Sequence, residues 1–126
     1  FYRSKVVNNF SCVTAACLMC KYKDFIRIGG FNEDFSHNYN DVDLCLKFLE
    51  EGLYNVFLPH LEVVHHESKT RGNDLASTAT DEVKERYKKE YQLLRNIWPK
   101  YVKNDPYYNK HLSKNSVTFE INNSNE

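Results

Sequence analysis

The fold of this chain is decided by the segment Asn40-Asp41-Val42-Asp43-Leu44-Cys45-Leu46-Lys47-Phe48-Leu49-Glu50-Glu51-Gly52-Leu53. Its apolar residues recur at intervals of three and four, the spacing of one face of an α-helix: Val42, Cys45, Leu46, Leu49 and Leu53. Asn40 is predicted to cap this helix, with Asp43 as its acidic partner in a capping box. Gly52 is predicted to close the helix in the left-handed conformation.

Two elements are predicted upstream of this helix. The run from Ser11 to Cys20 is apolar and rich in small and β-branched side chains, which predicts a buried strand. The run from Lys21 to Ile28 predicts a short helix that the pair Gly29-Gly30 ends. Residues 31–39 mix polar and aromatic side chains, as loops do.

Further strands and one long helix are predicted downstream. Tyr54 to Leu58 and Leu61 to Val64 are short apolar runs, and each predicts a strand. Residues 69–79 are polar and predict a loop. A long helix is predicted from about Thr80 to Trp98, where Pro99 stops it. This order of strands and helices is typical of an α/β or α+β protein.

The net charge and the hydropathy of the chain bear on whether it binds nucleic acid or crosses a membrane. The 126 residues include 17 basic and 17 acidic side chains, so the formal net charge is zero. A neutral chain has no electrostatic basis for binding nucleic acid, and we expect none. No apolar run approaches the roughly 20 residues that a helix needs to cross a bilayer.

The cysteines have two interpretations. Burial as free thiols is the expectation for all of them in a reducing compartment: Cys12, Cys17, Cys20 and Cys45. The spacing of Cys17 and Cys20 also fits two ligands of a zinc site completed by a histidine. No second pair with ligand spacing follows, so a zinc-stabilised domain is the alternative.

The acidic pair Asp41 and Asp43 lies at the predicted start of a helix. The positive end of the helix dipole and the free backbone N–H groups there keep a carboxylate ionised. Beside a cleft, such a carboxylate can take a proton from a sugar hydroxyl and make its oxygen a nucleophile. Acidic residues in a first turn also stabilise a helix without any function, so the pair alone leaves both interpretations open.

A second polar cluster follows the last predicted strand. His65 and His66 are adjacent, so in a strand-like segment only one of them can face a given pocket. A neutral imidazole there can bind a divalent metal, and an arginine such as Arg71 can hold phosphate oxygens with its forked donors. A solvated surface turn is the alternative interpretation.

The turn Gly29-Gly30-Phe31 also has two interpretations. It can be a helix stop that needs glycine at positive φ, or a flexible backbone beside a substrate. Aromatic side chains near it can stack on the face of a sugar ring: Phe31, Phe35 and Tyr39.

These motifs occur together in one order: Val13 to Met19, Ile28 to Phe35, Asn40 to Lys47, Glu51 to Val56, Pro59, and Val64 to Gly72. In that order and spacing the chain resembles the distal half of family 2 glycosyltransferases with the GT-A fold. It looks most like members that build bacterial surface polysaccharides and O-antigens. The resemblance implies an α/β fold, part of a nucleotide-diphospho-sugar transferase domain, with a mixed sheet and flanking helices. Residues 1–99 would form the acceptor-side half of that domain and residues 100–126 a C-terminal tail.

The resemblance also implies a role for each site residue. Asp41 would be the catalytic base of an inverting reaction, and Asp43 would contact the acceptor or hold the base. Gly30 and Phe31 would form part of the acceptor pocket. His65 would help to bind Mg²⁺ or Mn²⁺, and the hydroxyl of Thr70, five residues later, favours His65 over His66. Thr70 and Arg71 would bind the diphosphate.

Two departures from the family pattern affect these expectations. Asn40 stands where the family usually has glutamate, so one negative charge beside the base is lost. The nucleotide-binding half, with its metal-binding Asp-x-Asp motif, is expected to be missing from this chain. We therefore expect the isolated chain to be inactive. Asp41-Val42-Asp43 has the same Asp-x-Asp pattern, but it lies at the start of a predicted helix, so we assign it to the region of the catalytic base and not to the metal-binding motif.

The resemblance implies partners for the parent enzyme. They are a nucleotide-diphosphate sugar donor and a glycan or lipid-linked acceptor. The parent enzyme would act in the cytoplasm or at the inner face of the cell membrane, with which it could associate peripherally. An uncovered sheet edge would favour self-association. The alternative is a non-catalytic module that binds glycan or assembles with a second chain.

Overall fold

The computed structural model describes residues 5–64, 79–115 and 119–122. Two strands and four α-helices are present in these ranges: β1 Asn8–Phe10, α1 Tyr22–Arg27, α2 Asn40–Glu50, β2 Asn55–Phe57, α3 Asp81–Ile97 and α4 Pro99–Lys103. A single turn of 3₁₀-helix lies at Ala15–Cys17. The order of elements confirms a small α/β arrangement of a sheet with helices, and the GT-A fold stays a prediction.

The sheet consists of β1 and β2, which pair antiparallel with Asn9 opposite Val56. The rings of Phe10 and Phe57 meet edge to face across it, with centroids 6.0 Å apart. The mixed sheet that was expected is therefore not what the described residues form. A two-stranded sheet is too small to be stable alone, so it depends on the helix packed against it.

Helix α2 carries most of the buried apolar side chains. Four apolar residues of α2 are buried: Leu44, Cys45, Leu46 and Phe48. Phe35 from the preceding loop and Leu94 from α3 complete the buried apolar set of the described residues. The buried amide of Asn55 joins β2 to this core, because its Nδ2 donates to the carbonyls of Ser11 and Cys45 at 2.9 and 3.0 Å.

The face of α2 that the sequence predicted is only partly confirmed. Cys45 and Leu46 are buried, but Val42, Leu49 and Leu53 are half-buried. The fully buried face also includes Leu44 and Phe48, which lie one residue before Cys45 and Leu49.

The strand predicted from Ser11 to Cys20 is wrong. Its backbone donors bond to side chains instead of a neighbouring strand. Val13 N donates to Cys45 Sγ at 3.5 Å, and Ala15 N donates to Asp41 Oδ2 at 3.2 Å. Thr14 Oγ1 accepts from Ala16 N and caps the 3₁₀ turn. Because these donors are taken by side chains of α2 and by a local cap, no ladder can form here.

The predicted helix boundaries are largely confirmed. Helix α1 falls inside the predicted range, and Gly29 and Gly30 follow it at φ values of 79° and 62°. Gly52 closes α2 at φ 73°. Helix α3 runs over Asp81–Ile97 with Thr80 as its N-cap, whose Oγ1 accepts from Val83 N.

The start of α2 differs from the prediction. Its N-cap is Tyr39, a non-glycine residue at φ 63°, and Asn40 is the first helical residue. Asn40 Oδ1 still accepts from Asp41 N at 2.8 Å. Asp43 is not a capping partner, because its side chain is buried and bonds to residues outside the first turn. The left-handed conformation of Tyr39 is strained and needs tertiary contacts to hold it.

The strand predicted from Leu61 to Val64 is also wrong. Residues 61–64 are exposed and form no strand, because Leu61 N donates back to the carbonyl of Leu58. Pro99 ends α3 as predicted, and it begins the short helix α4. The loop predicted at residues 69–79 lies almost entirely outside the described ranges.

The C-terminal residues contact the core at two points. Tyr101 Oη and Lys100 Nζ donate to Glu50 Oε1 at 2.7 and 3.2 Å, which joins α4 to the end of α2. Asp105 accepts from Ser11 Oγ at 2.5 Å, beyond the end of β1. Within the three described ranges, no helix is long and apolar enough to span a bilayer.

The two glycines after α1 allow a matched test of packing. A Cβ added at Gly30 would lie 3.0 Å from Cζ of Phe25, whereas a Cβ at Gly29 would meet nothing within 4 Å. Both glycines have positive φ, so alanine is strained at each, by about 1–2 kcal/mol. We expect Gly30→Ala to cost about 1–3 kcal/mol more than Gly29→Ala in urea unfolding, because the added methyl group also displaces the Phe25 ring. Equal losses of unfolding free energy in the two variants would mean that the Phe25 ring moves aside without a cost in packing.

Candidate functional site

Asp41 lies at the first turn of α2 with a half-buried side chain. Its Oδ1 accepts from Val42 N at 2.9 Å, and its Oδ2 accepts from Ala15 N at 3.2 Å. An ionised carboxylate has about four acceptor positions, so two bonds leave positions open for a ligand hydroxyl. Asp41 is therefore held at both oxygens and is still partly accessible.

Asp43, two residues later, has a different environment. Its side chain is wholly buried, Trp98 Nε1 donates to its Oδ1 at 2.8 Å, and Lys47 Nζ lies 3.0 Å from its Oδ2. A carboxylate closed to solvent cannot contact a sugar in this conformation. The structure favours the supporting role for Asp43 over the acceptor contact, because its bonds join α2 to the end of α3.

Lys47 connects Asp43 with the glycine turn. Its Nζ donates to the carbonyl of Gly30 at 3.0 Å while it pairs with Asp43. A buried carboxylate, a lysine and a backbone carbonyl thus form one chain of polar contacts. This chain fixes the turn after α1 against the middle of α2.

The predicted acceptor pocket residues Gly30 and Phe31 lie at this turn. The Phe31 ring meets Phe25 edge to face, with centroids 5.6 Å apart, and its side chain is 47% exposed. Nearly half of the Phe31 surface is therefore accessible to a ligand. Phe35 is not accessible, because it is buried in the core. Tyr39 packs its ring on α3 and is also occupied.

Three of the predicted site residues are not among those that the structure describes. They are His65, Thr70 and Arg71. The expected approach of His65 to Asp41 and the diphosphate contacts of Thr70 and Arg71 stay predictions.

Glu90 of α3 holds the loop that leads into α2. Its side chain is buried, with 4% exposure, and its two oxygens accept five hydrogen bonds of 2.7–3.1 Å from three consecutive residues. The donors are Ser36 N and Oγ, His37 N, and Asn38 N and Nδ2. Burial raises the pKa of Glu90, but the hydrogen bonds from Ser36, Asn38 and His37 outweigh it, and the pKa is lowered overall.

The sequence interpretation missed Glu90, although a signal for it exists. The sequence predicts an apolar stripe along α3 that consists of Val83, Tyr87, Tyr91, Leu94 and Ile97. Position 90 lies on the same helix face by its three- and four-residue spacing. A single carboxylate inside an apolar face indicates a buried acceptor with donors facing it. The sequence cannot say which donors these are, since they come from a distant loop.

The cysteines do not form a metal centre in the described part of the chain. Only Cys45 is buried, whereas Cys17 and Cys20 are exposed, so the predicted burial is wrong for those two. Burial raises the pKa of Cys12 to about 12, which keeps its thiol protonated at neutral pH. Among the described residues, no group of three His, Cys, Asp or Glu can hold a metal ion. A site that includes His65 or His66 falls outside these ranges.

The lowered pKa of Glu90 predicts how stability depends on pH. Its contribution is fully present above the unfolded-state pKa of about 4.3 and is lost as pH falls through the lower folded-state pKa. At neutral pH, Glu90→Gln should lower the free energy of unfolding by about 2–4 kcal/mol, since buried donors lose a charged acceptor.

The difference between wild type and Glu90→Gln should shrink as pH falls below about 4 in urea unfolding experiments. Glu85→Gln removes a charge from an exposed position of the same helix and serves as the control. Its difference from wild type should be small at every pH. A Glu90→Gln difference that stays constant down to low pH would contradict the lowered pKa.

Comparison with known proteins gives relatives but neither a family model nor a solved structure that matches. The uncharacterized protein y4gI of Sinorhizobium fredii is 39% identical over 114 residues, which cover 90% of this chain and 12% of that protein. The O-antigen biosynthesis protein RfbC of Myxococcus xanthus is 33% identical over 115 residues, 90% of this chain and 8% of that protein.

A third relative is named for its reaction. The N-acetylglucosaminyl-diphospho-decaprenol L-rhamnosyltransferase of Mycobacterium tuberculosis is 34% identical over 65 residues, 52% of this chain and 21% of that enzyme. The chain thus spans at most about a fifth of the length of these relatives. At this modest identity, the relatives support a glycosyltransferase-like family for the chain.

Proposed function

We propose that this chain forms the acceptor side of a glycosyltransferase of the GT-A type. The enzyme would transfer a sugar from a nucleotide-diphosphate sugar to a glycan or lipid-linked acceptor in polysaccharide or O-antigen biosynthesis. Two relatives support the class of substrate, since one is named for O-antigen biosynthesis and the other for rhamnosyl transfer to a diphospholipid-linked sugar. The reaction would take place in the cytoplasm or at the inner face of the membrane.

The observation that carries the proposal is the environment of Asp41. Of the two carboxylates at the start of α2, Asp43 is closed to solvent and bonded to Trp98, whereas Asp41 is half-buried and held by backbone donors alone. A general base must be both fixed and reachable by the acceptor hydroxyl. Asp41 meets both conditions, and Asp43 meets only the first.

In the proposed reaction, Asp41 accepts the proton of the acceptor hydroxyl. The freed oxygen attacks the anomeric carbon from the side opposite the nucleoside diphosphate, and the carbon–oxygen bond to the diphosphate breaks with its electron pair on the leaving group. One displacement with one base inverts the anomeric centre. Phe31, with its partly exposed side chain beside Gly30, is proposed to stack on the acceptor sugar.

The donor side of the proposal depends on residues that lie outside the described ranges. We propose that His65 contacts a divalent cation, Mg²⁺ or Mn²⁺, and that Thr70 and Arg71 bind the diphosphate. The described residues offer no cluster that fits such a cation, and the proton transfer above does not require one. The cation would stabilise charge on the departing diphosphate.

Asp41→Asn in the full-length protein should reduce turnover by about 10²–10⁴-fold, because an amide cannot take the proton. Donor binding should change by less than about twofold, since the base acts on the acceptor. Turnover is measured as nucleoside diphosphate released from a panel of nucleotide-diphosphate sugars, with an N-acetylglucosaminyl-diphospho-lipid as acceptor. Asp34→Asn, an exposed change in the preceding loop, is the control and should be silent.

If Asp41→Asn keeps near-normal turnover, Asp41 is not the catalytic base. The anomeric configuration of the product, read by NMR, checks the stereochemistry independently. Retention would contradict a single displacement even if Asp41 proved essential.

His65→Ala should weaken donor binding by about tenfold or more in the presence of Mn²⁺, and should have little effect when the metal is chelated. Calorimetric titration of the full-length protein with nucleotide-diphosphate sugar measures both values. His66→Ala is the matched control, because the proposal assigns the metal contact to His65 and none to its neighbour. Equal losses with and without Mn²⁺ would argue against a metal contact.

A further inference from the structure

The segment that leads into α2 is held by one carboxylate of a distant helix. Glu90 is 4% exposed, and all five of its hydrogen bonds come from residues 36–38. Oε1 accepts from Ser36 N, Ser36 Oγ and His37 N at 3.0, 2.7 and 3.1 Å. Oε2 accepts from Asn38 N and Asn38 Nδ2, both at 2.9 Å.

This arrangement specifically requires a carboxylate. Three successive backbone N–H groups donate to the two oxygens of one carboxylate, as in the anion-binding concavities that consecutive backbone donors form. A carboxylate is an acceptor at both oxygens, whereas an amide in the same place would turn an NH₂ group toward an N–H donor. Glutamine therefore cannot satisfy all five donors, although it has nearly the same shape.

The contact continues from residues 36–38 into the first turn of α2. Tyr39 follows at φ 63°, and its ring lies against Tyr87 and Tyr91, with centroids 5.6 and 6.1 Å away. These two tyrosines flank Glu90 along α3. The carbonyl of Tyr39 then accepts from Asp43 N at 2.8 Å, which closes the turn that contains Asp41. The path from Glu90 to Asp41 is thus short and continuous.

The strained residue in this path explains why an anchor is needed. A tyrosine in the left-handed region costs of the order of 1–2 kcal/mol and reverts to an extended conformation unless neighbouring contacts prevent it. If Tyr39 reverted, α2 would begin in another direction, and Asp41 would lose the donor at Ala15 N that holds Oδ2. The bonds to Glu90 on one side and the helix on the other prevent this.

We infer that Glu90 is a positioning residue for the transfer reaction: it fixes residues 36–38 on α3 and thereby sets the orientation of Asp41. The inference rests on the proposed function, because Asp41 is the proposed base. Glu90 itself touches no substrate. Its effect is on where the base stands relative to the acceptor, and a displacement of about 1 Å at a reacting group is enough to reduce turnover strongly.

The structural part is tested on this chain by amide hydrogen exchange, followed by NMR. In Glu90→Gln, the amides of residues 36–38 and of Asp43 should exchange about tenfold faster or more, while those of Leu46 and Phe48 in the middle of α2 change much less. Glu85→Gln, an exposed change on the same helix, should leave all of these amides unchanged.

A milder variant covers the case in which Glu90→Gln does not fold. Asn38→Ala removes only the Nδ2 donor to Oε2 and keeps the carboxylate and the three backbone donors. It should accelerate the same amides by a smaller factor. Unchanged exchange at residues 36–38 and Asp43 in Asn38→Ala and in any folded Glu90→Gln would overturn the inference.

The functional part is tested in the full-length protein with the donor panel and lipid acceptor used for Asp41. Glu90→Gln should lower kcat by about tenfold or more and leave donor KM within about twofold, the pattern of a misplaced base. Glu90→Asp should recover part of kcat, since it restores the charge but not the reach. Unchanged kcat, or equal losses in kcat and donor affinity, would overturn the positioning role.

The two arms separate this inference from the function on which it rests. If Asp41→Asn keeps its turnover, the base assignment fails, and Glu90 then positions nothing catalytic even if the exchange rates change as expected. If Asp41→Asn is inactive and Glu90→Gln is fully active, the proposed function stands and the inference is wrong.

Discussion

The arrangement of this chain depends on the contact between the Glu90 carboxylate and residues 36–38. The carboxylate accepts every one of its five hydrogen bonds from residues 36–38, which lie more than 50 positions earlier. This contact places α3 against the start of α2 and makes the left-handed conformation of Tyr39 sustainable. Because α2 supplies most of the buried apolar side chains, the direction of this helix decides where the rest of the core can pack.

The same helix presents two carboxylates that are chemically alike but differ in environment. Asp43 is closed to solvent and shared between Trp98 and Lys47, so its charge serves the packing of α2 on α3 and on the glycine turn. Asp41 points to the opposite side, where the backbone of Ala15 holds it without covering it. Only the accessible carboxylate, Asp41, can exchange a proton with a ligand, which is why the proposed reaction assigns the role of base to it and not to Asp43.

Exposed apolar side chains surround this framework. Met19 is 98% exposed and Val64 is 83% exposed, and the relatives are many times longer than the aligned region. The formal net charge is zero, so no net field of the chain contributes to the recognition of a partner.

The sequence by itself determined the helices α1, α2 and α3 and most of their ends, because helix periodicity, caps and positive-φ glycines are encoded within a few residues. The exception is the start of α2, where Tyr39 is the N-cap in place of Asn40. The sequence also predicted a catalytic base, Asp41, at the start of α2, and that role stays a prediction. Only the tertiary structure decided that Ser11 to Cys20 is not a strand and that Asp43 is buried while Asp41 is not. It also decided that Glu90 anchors the loop. The physical reason is that each of these outcomes depends on donors or acceptors supplied by distant residues, which no local pattern specifies.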